Sequence, residues 1–231
     1  MLAPVITPTA AALTELERET DAPGSGLDRL RLVPTPFVAE VRLYLAEDPI
    51  VWWARLEAAA GHPLPAPYWA SVWAGGQALA RHLLDHPELV AGRRVLDLAA
   101  GSGLVAIAAA LGGAARVVAN DIDPYAVAAV TLNARVNRVA VTATGADLLD
   151  SDPGDADLLL AGDVFYDSGL AGRMLPFLRR AADRGAQVLV GDPGRDHLPR
   201  NRLDVVASYR VPTTEPAVDT PMRHVEVLRP R

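Results

Sequence analysis

The fold is decided by Val95-Leu96-Asp97-Leu98-Ala99-Ala100-Gly101-Ser102-Gly103, a short apolar run that leads into a glycine loop. The apolar run predicts a strand, and the Ala-rich residues 102–112 predict the helix that follows. Glycines at a strand-to-helix turn let a ligand approach the backbone closely, and the helix N-terminus adds unpaired N–H donors. The unit therefore predicts a site for a nucleotide-like ligand.

The regular pattern continues on the C-terminal side of this unit. The predicted strands are 117–120, 139–143, 157–161 and 187–191, and the predicted helices between them are 124–137 and 169–183. Such alternation is typical of crossover connections and a parallel sheet, and continuous apolar strands indicate that helices cover both faces. The last predicted strands, 203–209 and 224–228, have no helix between them, which predicts an antiparallel pair at the end of an α/β fold.

Three segments of different character divide the chain. Residues 1–36 contain five prolines and are expected to be a partly flexible N-terminal extension, with a helix from about Ala10 to Glu19. Residues 37–92 are expected to form an N-terminal helical segment on the substrate side, although alternating apolar residues predict a strand near residues 38–45. Residues 93–231 are expected to form the cofactor-binding core.

The composition limits the classes of function. The formal net charge of −6 argues against nucleic-acid binding as the main task, and no apolar run is long enough to cross a membrane. The chain has no cysteine, which excludes thiolate nucleophiles and cysteine-bound metals and agrees with a reducing cytoplasm. The first basic residue is Arg18, which argues against a secretory leader. We therefore expect a cytoplasmic protein that binds neither nucleic acid nor membranes.

Three explanations of the glycine loop compete: a ligand-free turn, a dinucleotide site and a site for S-adenosylmethionine. Residues Gly101–Ala106 match the dinucleotide pattern G-x-G-x-x-G/A, which is weak by itself. Asp121 follows a second strand at the spacing used to hold ribose hydroxyls, which counts against an empty turn. Asp97 before the glycines, and a single nucleotide-binding half, count against a dinucleotide and favour S-adenosylmethionine.

The residue types match the parts of S-adenosylmethionine one by one. Asp97 is expected to receive its ammonium group, directly or through water, and Gly101 and Gly103 are expected to leave room for the methionine part. Asp121 is expected to accept hydrogen bonds from both ribose hydroxyls. Asp147 follows the third predicted strand and is expected to accept one from the adenine amino group.

The sequence resembles the class I S-adenosylmethionine-dependent methyltransferases. The likeness rests on Val95–Gly103 and Asn120–Pro124, and Asp163-Val164-Phe165-Tyr166 resembles the acidic-to-aromatic motif of their protein-lysine branch. Over about residues 40–200, the chain is similar more specifically to the electron transfer flavoprotein beta-subunit lysine methyltransferase family. The segments that carry this likeness are Pro67–Ala70 with Val72-Trp73, Gly75–Leu79, Gly162–Asp167 and Gly191–Arg195.

This resemblance implies a fold, a cofactor and roles for individual residues. The implied fold is a Rossmann-like, seven-stranded and mostly parallel sheet with an antiparallel C-terminal strand, helices on both faces and a small N-terminal extension. Trp73 would border S-adenosylmethionine and Gly162 would contact it, in addition to the glycine loop and Asp121. Asp163 and Tyr166 would shape the acceptor-lysine site.

Ala99 stands where the family usually has its first glycine, and alanine disfavours positive φ, so the geometry of the loop is expected to be affected more than its purpose.

His82 and His86 have a spacing that can bind a metal, but no third ligand and no intervening glutamate accompany them. No metal is therefore expected.

The activity that the resemblance implies is methylation of lysine in the beta subunit of electron transfer flavoprotein, and we expect the protein to be a monomer or weak oligomer. The acceptor amine must first lose its proton, because its ordinary pKa is roughly 10.4. Desolvation lowers that pKa, so alignment by Asp163 and an aromatic wall at Tyr166 suffice without a strong base. Two alternatives stay open: a methyltransferase for ribosomal protein or a small-molecule amine, and a catalytically silent cofactor-binding protein that acts by interaction.

Overall fold

The computed structural model describes residues 8–21, 26–212 and 222–231. Six α-helices occur in this part: α1 Pro8–Asp21, α2 Pro49–Ala60, α3 Ala74–Asp85, α4 Leu104–Leu111, α5 Pro124–Val136 and α6 Ser168–Asp183. Its nine strands are β1 Leu30–Thr35, β2 Val38–Ala46, β3 Arg94–Leu98, β4 Arg116–Asn120, β5 Thr142–Thr144, β6 Leu158–Gly162, β7 Gln187–Asp192, β8 Leu203–Pro212 and β9 Met222–Pro230. No helix of the described ranges combines the length and apolar character needed to cross a membrane.

Seven strands form one sheet in the order β5-β4-β3-β6-β7-β9-β8. Strands β3 to β7 run parallel, and Val95 of β3 lies opposite Val117 on one side and Leu158 on the other. Strand β9 pairs antiparallel with both β7 and β8. The predicted α/β sheet, mostly parallel with an antiparallel C-terminal end, is confirmed. The chain order reverses between β3 and β6, and in such sheets ligands bind at the carboxyl ends of the strands beside that point.

Helices cover both faces of this sheet because its central strands are apolar on both sides. In β6, Leu158 and Leu160 face a core shared with α3 and α4, whereas Leu159 faces a core built with α6. All three leucines are fully buried, and burying such a side chain contributes about 2 kcal/mol. The two cores hold the central strands in place, so the loops at their carboxyl ends start from a rigid base.

A hairpin of β1 and β2 forms a second, two-stranded sheet. Alternate residues from Val41 to Leu45 are buried, as the apolar pattern predicts. The helix expected near Ala10–Glu19 is α1, which packs against α5. The boundary drawn after residue 36 falls in the turn of the hairpin. Parts of the expected flexible extension, residues 1–7 and 22–25, lie outside the described residues.

Two predicted boundaries are shifted by helix-end geometry. The strand predicted at 139–143 begins only at Thr142, because the N–H of Val139 closes the end of α5 on the carbonyl of Ala134. Arg138 takes a left-handed φ of 57° to make that ending. The helix predicted from residue 102 begins at Leu104, because Gly103 belongs to the preceding turn.

Candidate active site

The loop between β3 and α4 is shaped by three residues with positive φ: Ala99 at 51°, Gly101 at 51° and Gly103 at 82°. The N–H of Ala100 donates to the carbonyl of Asn120 at 3.0 Å, which attaches the loop to the end of β4. The N–H of Gly103 closes a turn on the carbonyl of Ala100 at 2.8 Å. A Cβ added at Gly101 would lie 3.7 Å from the Cα of Trp69, an ordinary van der Waals contact, so it is the positive φ that favours glycine at this position.

The positive φ of Ala99 destabilises the folded state, because a left-handed conformation costs an L residue roughly 1–2 kcal/mol. We expect Ala99→Gly to stabilise the protein by about 0.5–1 kcal/mol, since the greater freedom of glycine in the unfolded chain offsets part of the gain. Urea unfolding measures the effect. The matched control is Ala100→Gly, at a position without positive φ, which should destabilise. Equal destabilisation by both substitutions would contradict the strain at Ala99.

Asp97 lies buried near the end of β3, beneath the glycine loop. Its Oδ2 accepts the N–H of Ala106 in the first turn of α4 at 3.0 Å. Burial raises the pKa of Asp97 to about 8, and the neighbouring charge of Asp121 adds to the increase, while the bond from Ala106 opposes it. A buried carboxyl with a raised pKa favours a cationic partner, because a nearby positive charge stabilises its ionised form.

Asp121 follows β4 and joins it to the glycine loop. Its Oδ2 accepts the N–H of Gly101 at 2.9 Å, and its Oδ1 accepts the N–H of Asp123 at 3.0 Å. Burial raises the pKa of Asp121, and these backbone donors oppose the increase. A carboxylate has about four lone-pair sites, so Asp121 keeps the capacity to accept further hydrogen bonds.

Asp147 stands apart from these groups on an exposed loop. Both of its carboxylate oxygens accept from Arg173 of α6, at 3.0 and 2.9 Å. The hydrogen bond from Arg173 lowers the pKa of Asp147, and the N–H of Leu149 adds to that effect. The loop itself is attached to β4 by Asn120, whose side-chain amide donates to the carbonyl of Ala146 at 2.8 Å. Asn120 therefore positions this loop, a role that its place at the end of a predicted strand does not reveal.

Glycines bring the start of α3 into direct contact with β6 and β7. A Cβ at Gly75 would lie 2.2 Å from the carbonyl oxygen of Gly191, and one at Gly191 would lie 2.1 Å from that of Gly75. A Cβ at Gly162 would lie 2.9 Å from the Cα of Gly76. Gly162 therefore lies directly beneath α3. No larger residue fits at these contacts, since backbone faces backbone.

Asp163 lies immediately after β6, with a left-handed φ of 56° and a buried side chain. Its Oδ2 accepts the N–H of Gly76 at 2.9 Å. Its Oδ1 accepts from Arg195 twice, from Nε at 3.2 Å and from a terminal nitrogen at 2.7 Å. Burial raises the pKa of Asp163 to about 6, whereas Arg195 and the Gly76 N–H lower it and Asp192 raises it further.

Three aromatic side chains line one side of this region and are called the aromatic rim: Tyr68, Trp73 and Tyr166. The ring centroid of Tyr68 lies 5.7 Å from that of Trp73 and 5.6 Å from that of Tyr166. The Trp73 indole N–H donates to the carbonyl of Tyr68 at 2.8 Å. Tyr166 is 49% exposed and Tyr68 is 53% exposed. Tyr68 was not predicted as a site residue, although it lies inside the Pro67–Ala70 segment.

The predicted residues thus form two neighbouring groups and one outlier. Asp97, Asp121 and the glycine loop gather at the ends of β3 and β4, while Asp163 and the aromatic rim gather at the end of β6 and the start of α3. The pKa of Tyr166 is raised by burial and also by the charges of Tyr68 and Asp121, so the two groups are within electrostatic reach. Only Asp147 is engaged elsewhere, by Arg173.

The His82 and His86 pair is a packing feature in the structure. The rings lie 4.7 Å apart between centroids, and Nδ1 of His82 lies 2.9 Å from the hydroxyl of Tyr209. Burial lowers the pKa of His82, and His86 adds to that effect. Within residues 8–21, 26–212 and 222–231, no group of three or more His, Asp or Glu side chains is arranged to hold a metal.

Comparison with known proteins gives matches to methyltransferases. The profile of the ribosomal protein L11 methyltransferase (PrmA) family matches residues 79–162. Two solved structures share the fold: TrmN from Thermus thermophilus, 26% identical with a TM-score of 0.50, over 68% of this chain and 48% of that one; and magnesium protoporphyrin IX methyltransferase from Synechocystis, 17% identical with a TM-score of 0.50, over 67% and 77%.

The most informative relatives are named electron transfer flavoprotein beta subunit lysine methyltransferase. The Danio rerio protein is 48% identical over 65% of this chain and 60% of its own length. The Xenopus laevis protein is 44% identical over 75% of this chain and 72% of its own length. Matches to the mouse and rat proteins span 64% of those chains. The order of strands, the glycine loop and this identity agree: the chain belongs to the electron transfer flavoprotein beta subunit lysine methyltransferase family.

Proposed function

We propose that this protein is an S-adenosylmethionine-dependent protein-lysine N-methyltransferase whose substrate is the beta subunit of electron transfer flavoprotein. The observation that carries the proposal is the placement of the Asp97 and Asp121 carboxylates beside a glycine loop, next to Asp163 and the aromatic rim. The two carboxylates at the glycine loop suit a cationic nucleoside cofactor, and Asp163 with the aromatic rim suits an amine. The identity of 41–48% to five vertebrate relatives of that name supports the same substrate.

The residues present fit S-adenosylmethionine. Asp97 would receive its ammonium group, which suits a buried carboxyl whose pKa is raised to about 8. Gly101 and Gly103 would leave the loop backbone accessible to the methionine part, and Asp121 would accept from the ribose hydroxyls. When bound, the cofactor supplies an electrophilic methyl group on a sulfonium. Roles for Trp73, Gly162 and Asp147 at its edges belong to the same proposal.

The chain's own residues would prepare the acceptor amine. A lysine ammonium with an ordinary pKa of roughly 10.4 must lose its proton before it can attack. The aromatic rim would strip water from the lysine side chain, which lowers its pKa. Asp163 would orient the amine through a hydrogen bond, and Tyr166 would add an aromatic wall with a hydroxyl. Alignment of the amine with the methyl group, in a site from which the bound substrate excludes water, would supply much of the rate acceleration.

A second candidate is methylation of a ribosomal protein or a small-molecule amine. The match to the ribosomal protein L11 methyltransferase profile favours it, but that match ends at Gly162, immediately before Asp163. It contains the proposed cofactor residues Asp97 and Asp121 with the glycine loop between them, and it omits Asp163 and the aromatic rim. The third candidate, a silent cofactor-binding protein, would bind S-adenosylhomocysteine without turnover.

The decisive assay is transfer of a labelled methyl group. We expect label on lysine of the electron transfer flavoprotein beta subunit when the protein, labelled S-adenosylmethionine and that subunit are combined. Parallel reactions contain ribosomal protein L11 or a mixture of small amines. Label on one of these instead would favour the second candidate, and cofactor binding without label anywhere would favour the silent one.

Asp163→Asn tests the division between cofactor and acceptor roles. We expect kcat to fall about tenfold at pH 7, because the amide loses the charge and has one acceptor oxygen, which cannot serve both Arg195 and the N–H of Gly76. Affinity for S-adenosylhomocysteine, measured by calorimetry, should stay within about twofold. Loss of cofactor affinity with kcat intact would reverse the assignment.

The proposed activity has consequences for the partners and the location of the protein. The protein would work in the cytoplasm as a monomer or weak oligomer that meets its protein substrate transiently. It would bind neither nucleic acid nor membranes, which agrees with a formal net charge of −6. Sedimentation with and without the flavoprotein tests the oligomeric part of the proposal.

A further inference from the structure

Arg195 connects the acceptor carboxylate to the aromatic rim. Its guanidinium donates to Oδ1 of Asp163 at 2.7 and 3.2 Å, and it lies over the ring of Trp73, 5.3 Å from the centroid. The side chain of Arg195 is 16% exposed and that of Asp163 is 8% exposed. This is a nearly buried ion pair, in which removal of one partner leaves the other charge uncompensated.

The turn that carries Arg195 is itself tightly held. Asp192, at the end of β7, is fully buried, and its Oδ1 accepts the N–H of Gly194 and the N–H of Arg195, each at 2.7 Å. Gly194 takes a left-handed φ of 88° in this turn. The backbone of Arg195 is thus fixed by β7, and its side chain reaches across to the end of the neighbouring strand β6.

We propose that Arg195 is a positioning residue, which keeps Asp163 in its charged form and fixes the orientation of its carboxylate beside the aromatic rim. The inference rests on the proposed function, in which Asp163 orients the acceptor amine. Orientation of the amine then depends on the ion pair of Asp163 with Arg195 and not on Asp163 alone. Arg195 itself would not touch the amine.

The charges around Asp163 explain why it needs a partner. Arg195 and Asp192 face it from β7 and the following turn, and α3 contributes the N–H of Gly76. Tyr166, on the loop after β6, is in electrostatic contact with Arg195. Burial and Asp192 both raise the pKa of Asp163, which reaches about 6 even with Arg195 in place. Without Arg195 that pKa rises further, and the carboxyl becomes mostly neutral at pH 7.

The pH dependence of turnover tests this role with Arg195→Met and Arg195→Lys. An opposite charge lowers a carboxyl pKa by roughly 1–3, so Arg195→Met should lower kcat/KM about tenfold at pH 7 and regain most of it by pH 9. Arg195→Lys keeps a cation and should leave the acidic limb of the profile where it is in the unmodified protein. A loss of equal size at every pH, or no loss, would overturn the proposal. If Arg195→Met does not fold, Arg195→Gln replaces it.

A second readout does not depend on catalysis. Below about pH 5 Asp163 is protonated with or without Arg195, so the loss of Tm caused by Arg195→Met should be smallest there. Because burial raises the folded pKa of Asp163 above its unfolded value, its ionisation costs stability as pH rises toward that folded pKa. In the unmodified protein this cost stops growing above about pH 6, whereas in Arg195→Met, with its higher folded pKa, it continues to grow, so the loss of Tm should increase toward pH 8. In an Asp163→Asn background the growth should vanish. A pH-independent loss in both backgrounds would contradict the pair even if methyl transfer were never observed.

Failure of the two claims is therefore distinguishable. If the unmodified protein methylates no acceptor, the proposed function fails, while the Tm measurements still decide whether Arg195 sets the charge of Asp163. If methylation is observed and the Tm difference does not depend on pH, the positioning role fails alone.

Discussion

Asp121→Asn is expected to weaken the binding of S-adenosylhomocysteine about hundredfold. The Asp121 carboxylate already accepts N–H groups from Gly101 and Asp123, one on each oxygen, and would accept two ribose hydroxyls as well. An asparagine must turn its NH2 toward one of these backbone donors, which either breaks that bond or distorts the glycine loop. Hydrogen bonds to a charged group are worth roughly 1.5–3 kcal/mol, and a loss of about 3 kcal/mol corresponds to a hundredfold change in Kd.

Calorimetric titration measures this loss, with Asp155→Asn as the matched control. Asp155 is an exposed carboxylate paired with Arg94 at the opposite end of the strands, so its replacement should leave affinity unchanged. If Asp121→Asn binds within about threefold of the unmodified protein while Asp155→Asn behaves as expected, Asp121 does not hold the cofactor.

Gly191→Ala is expected to destabilise the protein by about 3 kcal/mol, the largest effect of a single methyl group that we foresee. The added Cβ would lie 2.1 Å from the carbonyl oxygen of Gly75 and 2.8 Å from its carbonyl carbon. Both are backbone atoms, so α3 must move away from β7. That movement would also carry the N–H of Gly76 away from Asp163. For a chain of this size, the expected fall in Tm is roughly 6–12 °C.

Gly172→Ala is the control for this prediction. Gly172 lies inside α6 with nothing within 4 Å of an added Cβ, so alanine should stabilise the protein by up to about 1 kcal/mol. The two variants add the same methyl group in opposite surroundings. Similar Tm values for both would show that α3 can move away from β7 at little energetic cost, contrary to what the short distance between their backbones predicts.

The sequence predicted the parts of the fold that depend on local pattern. The unit around Val95–Gly103 predicted β3, the loop and α4, and the apolar runs after it predicted the strands of the sheet and their antiparallel end. The shifted start of β5 could not be predicted, because it depends on how Val139 closes the end of α5. Periodicity reports which residues are apolar, whereas the ending of a helix is settled by hydrogen bonds that follow it.

The candidate site was predictable where its residues adjoin the loop or follow a strand. Asp121 was singled out by its spacing from the glycines, and its bond to Gly101 joins the two in the structure. The pairing of Asp163 with Arg195 was not predictable, because 32 residues separate them and only the sheet brings the ends of β6 and β7 together. The close contact of Gly75 with Gly191 has the same origin, since it joins a helix to a distant strand.

The most direct test of the proposed activity is peptide mass spectrometry of the electron transfer flavoprotein beta subunit after incubation with this protein and S-adenosylmethionine. We expect methyl groups on lysine side chains of that subunit, greatly reduced with Asp121→Asn under limiting cofactor and reduced at pH 7 with Asp163→Asn. An unmodified subunit, in a reaction where calorimetry confirms that the protein binds S-adenosylhomocysteine, would contradict the proposed activity.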